Sequence, residues 1–164
     1  MVDSLIILYD HDEEAFTSNG LGALPDAASC TVTEERNGGY EVEMEYPLTG
    51  SHFHDIQKRR ILYVKPNPYD DPQPFRIYSI TKPINGIVTV HAAHLSYDTS
   101  GSIVKLFPAD AGSASAAMSY LKNFSVPSTP FTFFTNVGKS GTMSVPKPSS
   151  IRSLLGGSDG SILD

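Results

Sequence analysis

The feature that most narrows what this chain can fold into is the stretch from Phe75 to Gly101. Phe75, Ile77, Tyr78 and Ile80 fill a first limb, and Ile87, Val88 and Val90 fill a second. Both limbs are dense in the β-branched and aromatic residues that pack on a pleated surface. Lys82-Pro83-Ile84-Asn85-Gly86 lies between them. Pro83 presets φ, and Asn85-Gly86 tolerates the positive φ of a tight hairpin. Apolar residues fall in both alternation phases of each limb, which predicts core strands covered on two sides.

A second hairpin is expected from Cys30 to Glu35 and Gly39 to Tyr46, reversing at Arg36-Asn37-Gly38-Gly39. Along its second limb Tyr40, Val42, Met44 and Tyr46 alternate with Glu41, Glu43 and Glu45, so one face is apolar and the other anionic. Three carboxylates on one side need solvent or a basic partner, and a solvated face is the preferred reading. Ser4 to Tyr9 is a further strand, ended by Asp10, Asp12, Glu13 and Glu14. Those four do not form an EF-hand loop, because His11 and Ala15 break its spacing. Thr17 to Ala28 is a loop crossing to the next strand.

Pro47 to Gln57 predicts a turn and a short helix capped by Ser51, with Phe53 and Ile56 on one side. Ile61 to Lys65 is a strand, and the prolines from Pro66 to Pro74 exclude that segment from a central sheet. His94 to Asp98 closes the first unit near Gly101. The texture then changes. Ala114, Ala117, Met118 and Leu121 recur at helical spacing behind a Ser113 cap. Phe131 to Thr135 is expected as an apolar strand, with a short one at Thr142 to Val145. Ser149 or Ser150 starts a helix that Gly156-Gly157 ends. A new helix opens over Ser158 to Asp164 without a body, so the chain is expected to be a fragment cut inside its second domain. The fold class expected is predominantly β (α+β), with a boundary near Ile103.

Apolar residues at 40% and charged residues at 18% describe a globular chain, and a net charge of -6 argues against specific nucleic-acid binding. Lys58-Arg59-Arg60 is the one basic run, short enough to be a solvated strand start. Leu5 to Leu8 is too short for a membrane segment, and no secretory leader precedes it. With one cysteine, no intrachain disulfide can form.

Two chemical constellations arise. His11, His52, His54, His91 and His94 raise metal binding, but His91 and His94 would share a face only on a helix, and no His-Glu-x-x-His motif is present. A thiol peptidase centred on Cys30 needs an electropositive helix start, whereas Cys30 shares a strand phase with Val32 and precedes glutamates. Gly156 to Gly160 lacks the Gly-Lys-Ser/Thr ending of a phosphate loop. No catalytic, cofactor-binding or metal-binding residue is therefore assigned, and the chain is read as a non-enzyme.

Three ordered segments carry a resemblance to a known family. They are the two-limb stretch running through His94-Leu95-Ser96-Tyr97-Asp98, the run Tyr40 to Leu48 with Phe53 and Ile56, and Ser150 to Gly157 followed by Gly160 to Asp164. Together they resemble the N-terminal region of tail hub proteins from phages and prophages of Gram-positive bacteria, the prophage endopeptidase tail, tail-associated lysin or phage minor structural protein family. Thr99 departs from that pattern, standing where a bulky apolar residue is expected. The resemblance implies a baseplate hub: a β-barrel-like domain over 1–102 then an incomplete α/β domain over 103–164, three copies in a ring under the distal tail protein. It implies a virion structural protein of the tail tip, made in the host cytoplasm, with any peptidoglycan-cleaving activity farther along the polypeptide. On that reading the Glu41, Glu43, Glu45 face borders a channel for DNA. The alternatives are a peptidoglycan-acting hydrolase and a free-standing carbohydrate- or peptide-binding β domain.

Overall fold

The computed structural model describes residues 5–35, 38–106, 112–136, 138, 140 and 145–156. The chain divides into two compact units, Met1–Leu95 and Ser96–Asp164. That division falls ahead of the 1–102 and 103–164 expected from sequence. The cause is the 3₁₀ turn after the last strand of the first unit. Arg152 lays its guanidinium 3.7 Å over the Tyr97 ring, and the Ser102 carbonyl accepts from the Ile151 N–H at 3.0 Å. Thr99 is buried in this turn, its hydroxyl donating to the Ser96 carbonyl.

The first unit is predominantly β. Its strands are β1 (Ile7–Tyr9), β2 (Gly22–Ala23), β3 (Ser29–Glu34), β4 (Tyr40–Pro47), β5 (Ile61–Val64), β6 (Gln73–Ile80) and β7 (Ile87–His94). They form one antiparallel sheet in the order β2-β1-β5-β6-β7-β4-β3. The two edge strands are neighbours in sequence, joined only by residues 24–28. Laid flat, seven strands would separate those edges by about 29 Å, whereas six residue steps reach about 20 Å at most. The sheet therefore curls into an antiparallel half-barrel. Its concave side holds the core: Ile6, Leu8, Leu24, Val42, Met44, Tyr46, Leu62, Val64, Phe75, Ile77, Val88, Val90 and Ala92 are all buried there.

The β6–β7 hairpin turns as its sequence requires. Asn85 and Gly86 have φ of 52° and 79°, and Ile84 and Ile87 exchange both backbone bonds at 2.9 and 3.0 Å. Two successive positive φ values make this the two-residue turn whose twist matches the strands. For β6, the expectation that both faces are covered is corrected by a β-bulge. Ile77 opposes Ala92 while Ser79 opposes His91, so Tyr78 is an extra residue and the alternation changes phase there. Phe75 and Ile77 before the bulge and Ile80 after it all pack on the same core. Apolar residues in two phases thus serve one face, and Tyr78 stands on the other, 50% exposed.

Two further expectations change. Pro74 does join the sheet, opposite Tyr63. Ile77 donates to Arg60 beside β5, so Pro74, three residues earlier, aims its donorless nitrogen the other way, past His94, the last residue of β7 that pairs with β6. Ser51 does not cap the short 3₁₀ helix Phe53–Asp55, which starts at His52 with no side-chain cap. Its N–H and hydroxyl instead both donate to Asp26 Oδ2 at 2.8 Å.

In the second unit β8 (Ile103–Val104) pairs antiparallel with β9 (Ser125–Val126) and β10 (Ser149–Ser150). Helix α1 (Ala114–Asn123) begins at Ser113, whose side chain accepts from the Ala116 N–H, and it buries Ala117, Met118 and Leu121. Helix α2 (Ile151–Gly156) begins where Ser150 Oγ accepts from the Ser153 N–H at 3.2 Å. Val104, Met118, Leu121, Val145 and Ile151 make a separate small core. Pairing is antiparallel throughout, so the described residues of this unit are α+β, not α/β with a parallel sheet. Among the described residues Phe131 to Thr135 forms no ladder and is not a strand, and Phe134 is 88% exposed while Phe133 packs on the small core. Arg36 and Asn37 of the expected turn, Thr142 to Ser144 of the expected strand, and the helix restart over 158–164 lie outside the described residues.

Candidate functional site

The convex side of the half-barrel is where chemistry-bearing side chains gather. Strand alternation puts Val42, Met44 and Tyr46 inside, which leaves Glu41, Glu43 and Glu45 outside and exposed. Register brings Thr33, Thr31 and Ser29 of β3 beside these glutamates on one flank, and Ala93, His91 and Thr89 of β7 on the other. The bulge adds Tyr78 from β6.

These groups touch. The Tyr78 hydroxyl donates to Glu41 Oε2 at 3.2 Å, and the Tyr78 ring stacks on His91 at 6.2 Å between centroids. His91 Nδ1 stands 3.6 Å from Glu43 Oε2, and the Ser29 hydroxyl donates to Glu45 Oε2 at 3.2 Å. Partial burial and then the Glu41 charge push the Tyr78 phenol above its ordinary value. Between β3 and β7 the surface dips into a hollow of about 340 Å³ lined by Thr33, Glu35, Gly39, Glu41, Val42, Glu43 and His91. Among the described residues no lysine or arginine lies within 4.0 Å of Glu34, Glu35, Glu41, Glu43 or Glu45. The hollow is therefore anionic, and its chemistry suits a cation or a basic side chain.

The other histidines are held elsewhere. His11 Nδ1 bonds Asp10 at 2.9 Å, and that bond lowers the Asp10 carboxyl below its usual range. His52 Nδ1 bonds Asp55 Oδ2 at 3.1 Å, and His54 meets the Phe53 ring edge-on. His94 stacks on Tyr40 with centroids 4.7 Å apart, touches Phe75, and places Nε2 3.4 Å from Gln73 Oε1. It lies in the inward phase of β7 and His91 in the outward phase, so alternation separates them. Among the described residues, one group of three potential metal ligands comes together, Asp10, His11 and Asp12, and all three are exposed.

Cys30 is half-buried beside Val32 against the core, and burial pushes its thiol up to about 11. At neutral pH it is protonated and a poor nucleophile. The basic run is structural at two of its positions. Arg60 stands 3.5 Å from Asp55 Oδ1 and 3.9 Å from Asp10 Oδ1, and Arg59 donates from its N–H to the Ile77 carbonyl at 2.8 Å.

Sequence reasoning singled out Glu41, Glu43 and Glu45 but not the partners that shape their surface. His91 and Tyr78 arrive by cross-strand register and by the bulge. Asp26 was missed altogether. It accepts from Ser51 twice and lies 3.5 Å from the buried Tyr46 hydroxyl, tying the link between the edge strands to the turn after β4. Those hydrogen bonds hold its carboxyl below the ordinary range. The only sequence signal was an aspartate in an otherwise small-residue loop. Comparison with protein-family models, curated proteins and solved structures finds no match.

Proposed function

We propose that this chain is a structural module of a phage tail tip, a baseplate hub that assembles as a ring of three copies and docks on the distal tail protein, with its place in the virion. The observation that carries the reading is the half-barrel with an anionic outer wall, presenting one strand's carboxylates and the histidine and tyrosine beside them as a broad surface. Such a surface suits contact with other proteins better than turnover of a small molecule, which calls for a concave, largely apolar pocket. The resemblance of three ordered segments to tail hub proteins supplies the kind of assembly. A protonated Cys30 and histidines engaged one by one support a structural role over the alternative of a peptidoglycan hydrolase.

Immunogold electron microscopy of particles induced from the encoding strain tests the proposal. Labelling confined to the tail tip is the expected outcome. Intact particles without label, or label on the head or along the shaft, would overturn it.

A further inference from the structure

Strand β3 is the long free edge of the seven-stranded sheet. Which of its backbone groups are free is set by two bonds. Glu35 donates to the Gly39 carbonyl at 2.8 Å, continuing the register Glu34↔Tyr40, so odd-numbered residues of β3 bond to β4. Leu48 donates to Gly86 at 2.9 Å, continuing Pro47↔Ile87, so even-numbered residues of β4 bond to β7 and the odd ones to β3. The N–H and C=O groups of Cys30, Val32 and Glu34 therefore point off the sheet, with no partner among the described residues.

Exposed edges are normally blunted by proline, lysine or short length. The opposite edge, β2, is two residues long. The six residues of β3, Ser-Cys-Thr-Val-Thr-Glu, contain neither proline nor lysine and are rich in β-branched side chains.

We infer that β3 accepts an added strand from another protein, an extended segment in which apolar residues alternate with lysine or arginine. Three free backbone pairs supply the ladder, as in other strand-addition interfaces. Side chains of the incoming strand on the concave face would pack beside Cys30 and Val32, which are only partly buried as the half-barrel stands. Those on the convex face would lie beside Thr31 and Thr33, two strand spacings or about 9.6 Å from Glu43 and Glu41. A long basic side chain reaching across that gap enters the anionic hollow, whose lining includes Glu35, Glu41 and Glu43. The inference goes beyond the tail-tip proposal and holds whether or not that proposal does.

The test is fluorescence anisotropy of the intact chain with a synthetic peptide of about eight alternating valines and lysines, a length matched to one strand. Three comparisons separate the contributions. N-methylating alternate residues removes the donors that would face β3, and replacing lysine by glutamate reverses the charge. Val32→Pro deletes one outward N–H while leaving every bond to β4. Each change is expected to weaken binding by about tenfold or more. Equal affinity for the parent and N-methylated peptides, equal affinity for the glutamate peptide, or no binding of the parent would overturn the inference. A chain that dimerises through this edge, and returns to monomer with Val32→Pro, would also overturn it, because the occupant would be a second copy. If circular dichroism shows that Val32→Pro does not fold, the N-methylated peptide still decides the matter on the unmodified chain.

Discussion

At the scale of single residues, Asp26 is the side chain whose loss should be felt most beyond its own loop. It accepts from the Ser51 N–H and hydroxyl, 25 positions away, and these bonds depress its carboxyl. A carboxyl depressed by folding contributes stability above its unfolded pKa, ~3.9, and loses it as pH falls through the folded value. Asp26→Asn is therefore expected to lower Tm at neutral pH and to flatten the decline below about pH 4. Thermal melts of both proteins between neutral and acid pH check this. Parallel curves for the two would exclude the interaction. Asp10 and Asp55 are lowered in the same direction, so the flattening is partial. Nothing local in the sequence identifies Asp26, since its partners come from the turn after β4, which the register of the β3–β4 hairpin brings back beside it. Caps are different. Ser113 and Ser150 bond within three residues, which is why Ser113 could be placed from sequence and Ser150 stood among two candidates.

At the scale of elements, turns were legible and phases were not. Asn85-Gly86 specifies its own geometry, and the structure has it. A Cβ at Gly86 would meet nothing within 4 Å, so the cost of Gly86→Ala is backbone strain alone. Holding a non-glycine residue at φ +79° should cost roughly 1–2 kcal/mol in urea unfolding. A variant as stable as the parent would mean that the hairpin relaxes into another turn. The bulge at Tyr78 had no such signature. An extra residue shifts every later side chain to the other phase, and in the sequence that looks the same as a strand covered on both faces. Phe131 to Thr135 failed for a related reason. Apolar alternation shows that a segment can lie on a pleated surface, but a strand also needs a ladder with a neighbouring strand, and none is formed with the described residues.

At the scale of the whole molecule, each unit has its own core. The larger cluster lies wholly between Ile6 and Ala92, and the smaller between Val104 and Ile151. Residues 1–95 expressed alone are therefore expected to give a β-type circular dichroism spectrum and a cooperative melt. A disordered spectrum would show that the sheet depends on the second unit for its stability. The predominance of β structure was readable from composition and alternation, and a barrel-like first domain was expected from the resemblance to tail hub proteins, whereas the strand order was not legible. Strand order depends on pairings such as β1 with β5 and β4 with β7, which join segments far apart in the chain. The five-residue link from Leu24 to Ala28 makes curvature a covalent property of this domain. Warming or denaturant can loosen the packing inside, but the rim cannot splay flat while its two lips are stitched by so little backbone. A guest strand laid along one lip would consequently meet a preset arc, and must carry a matching twist to fit.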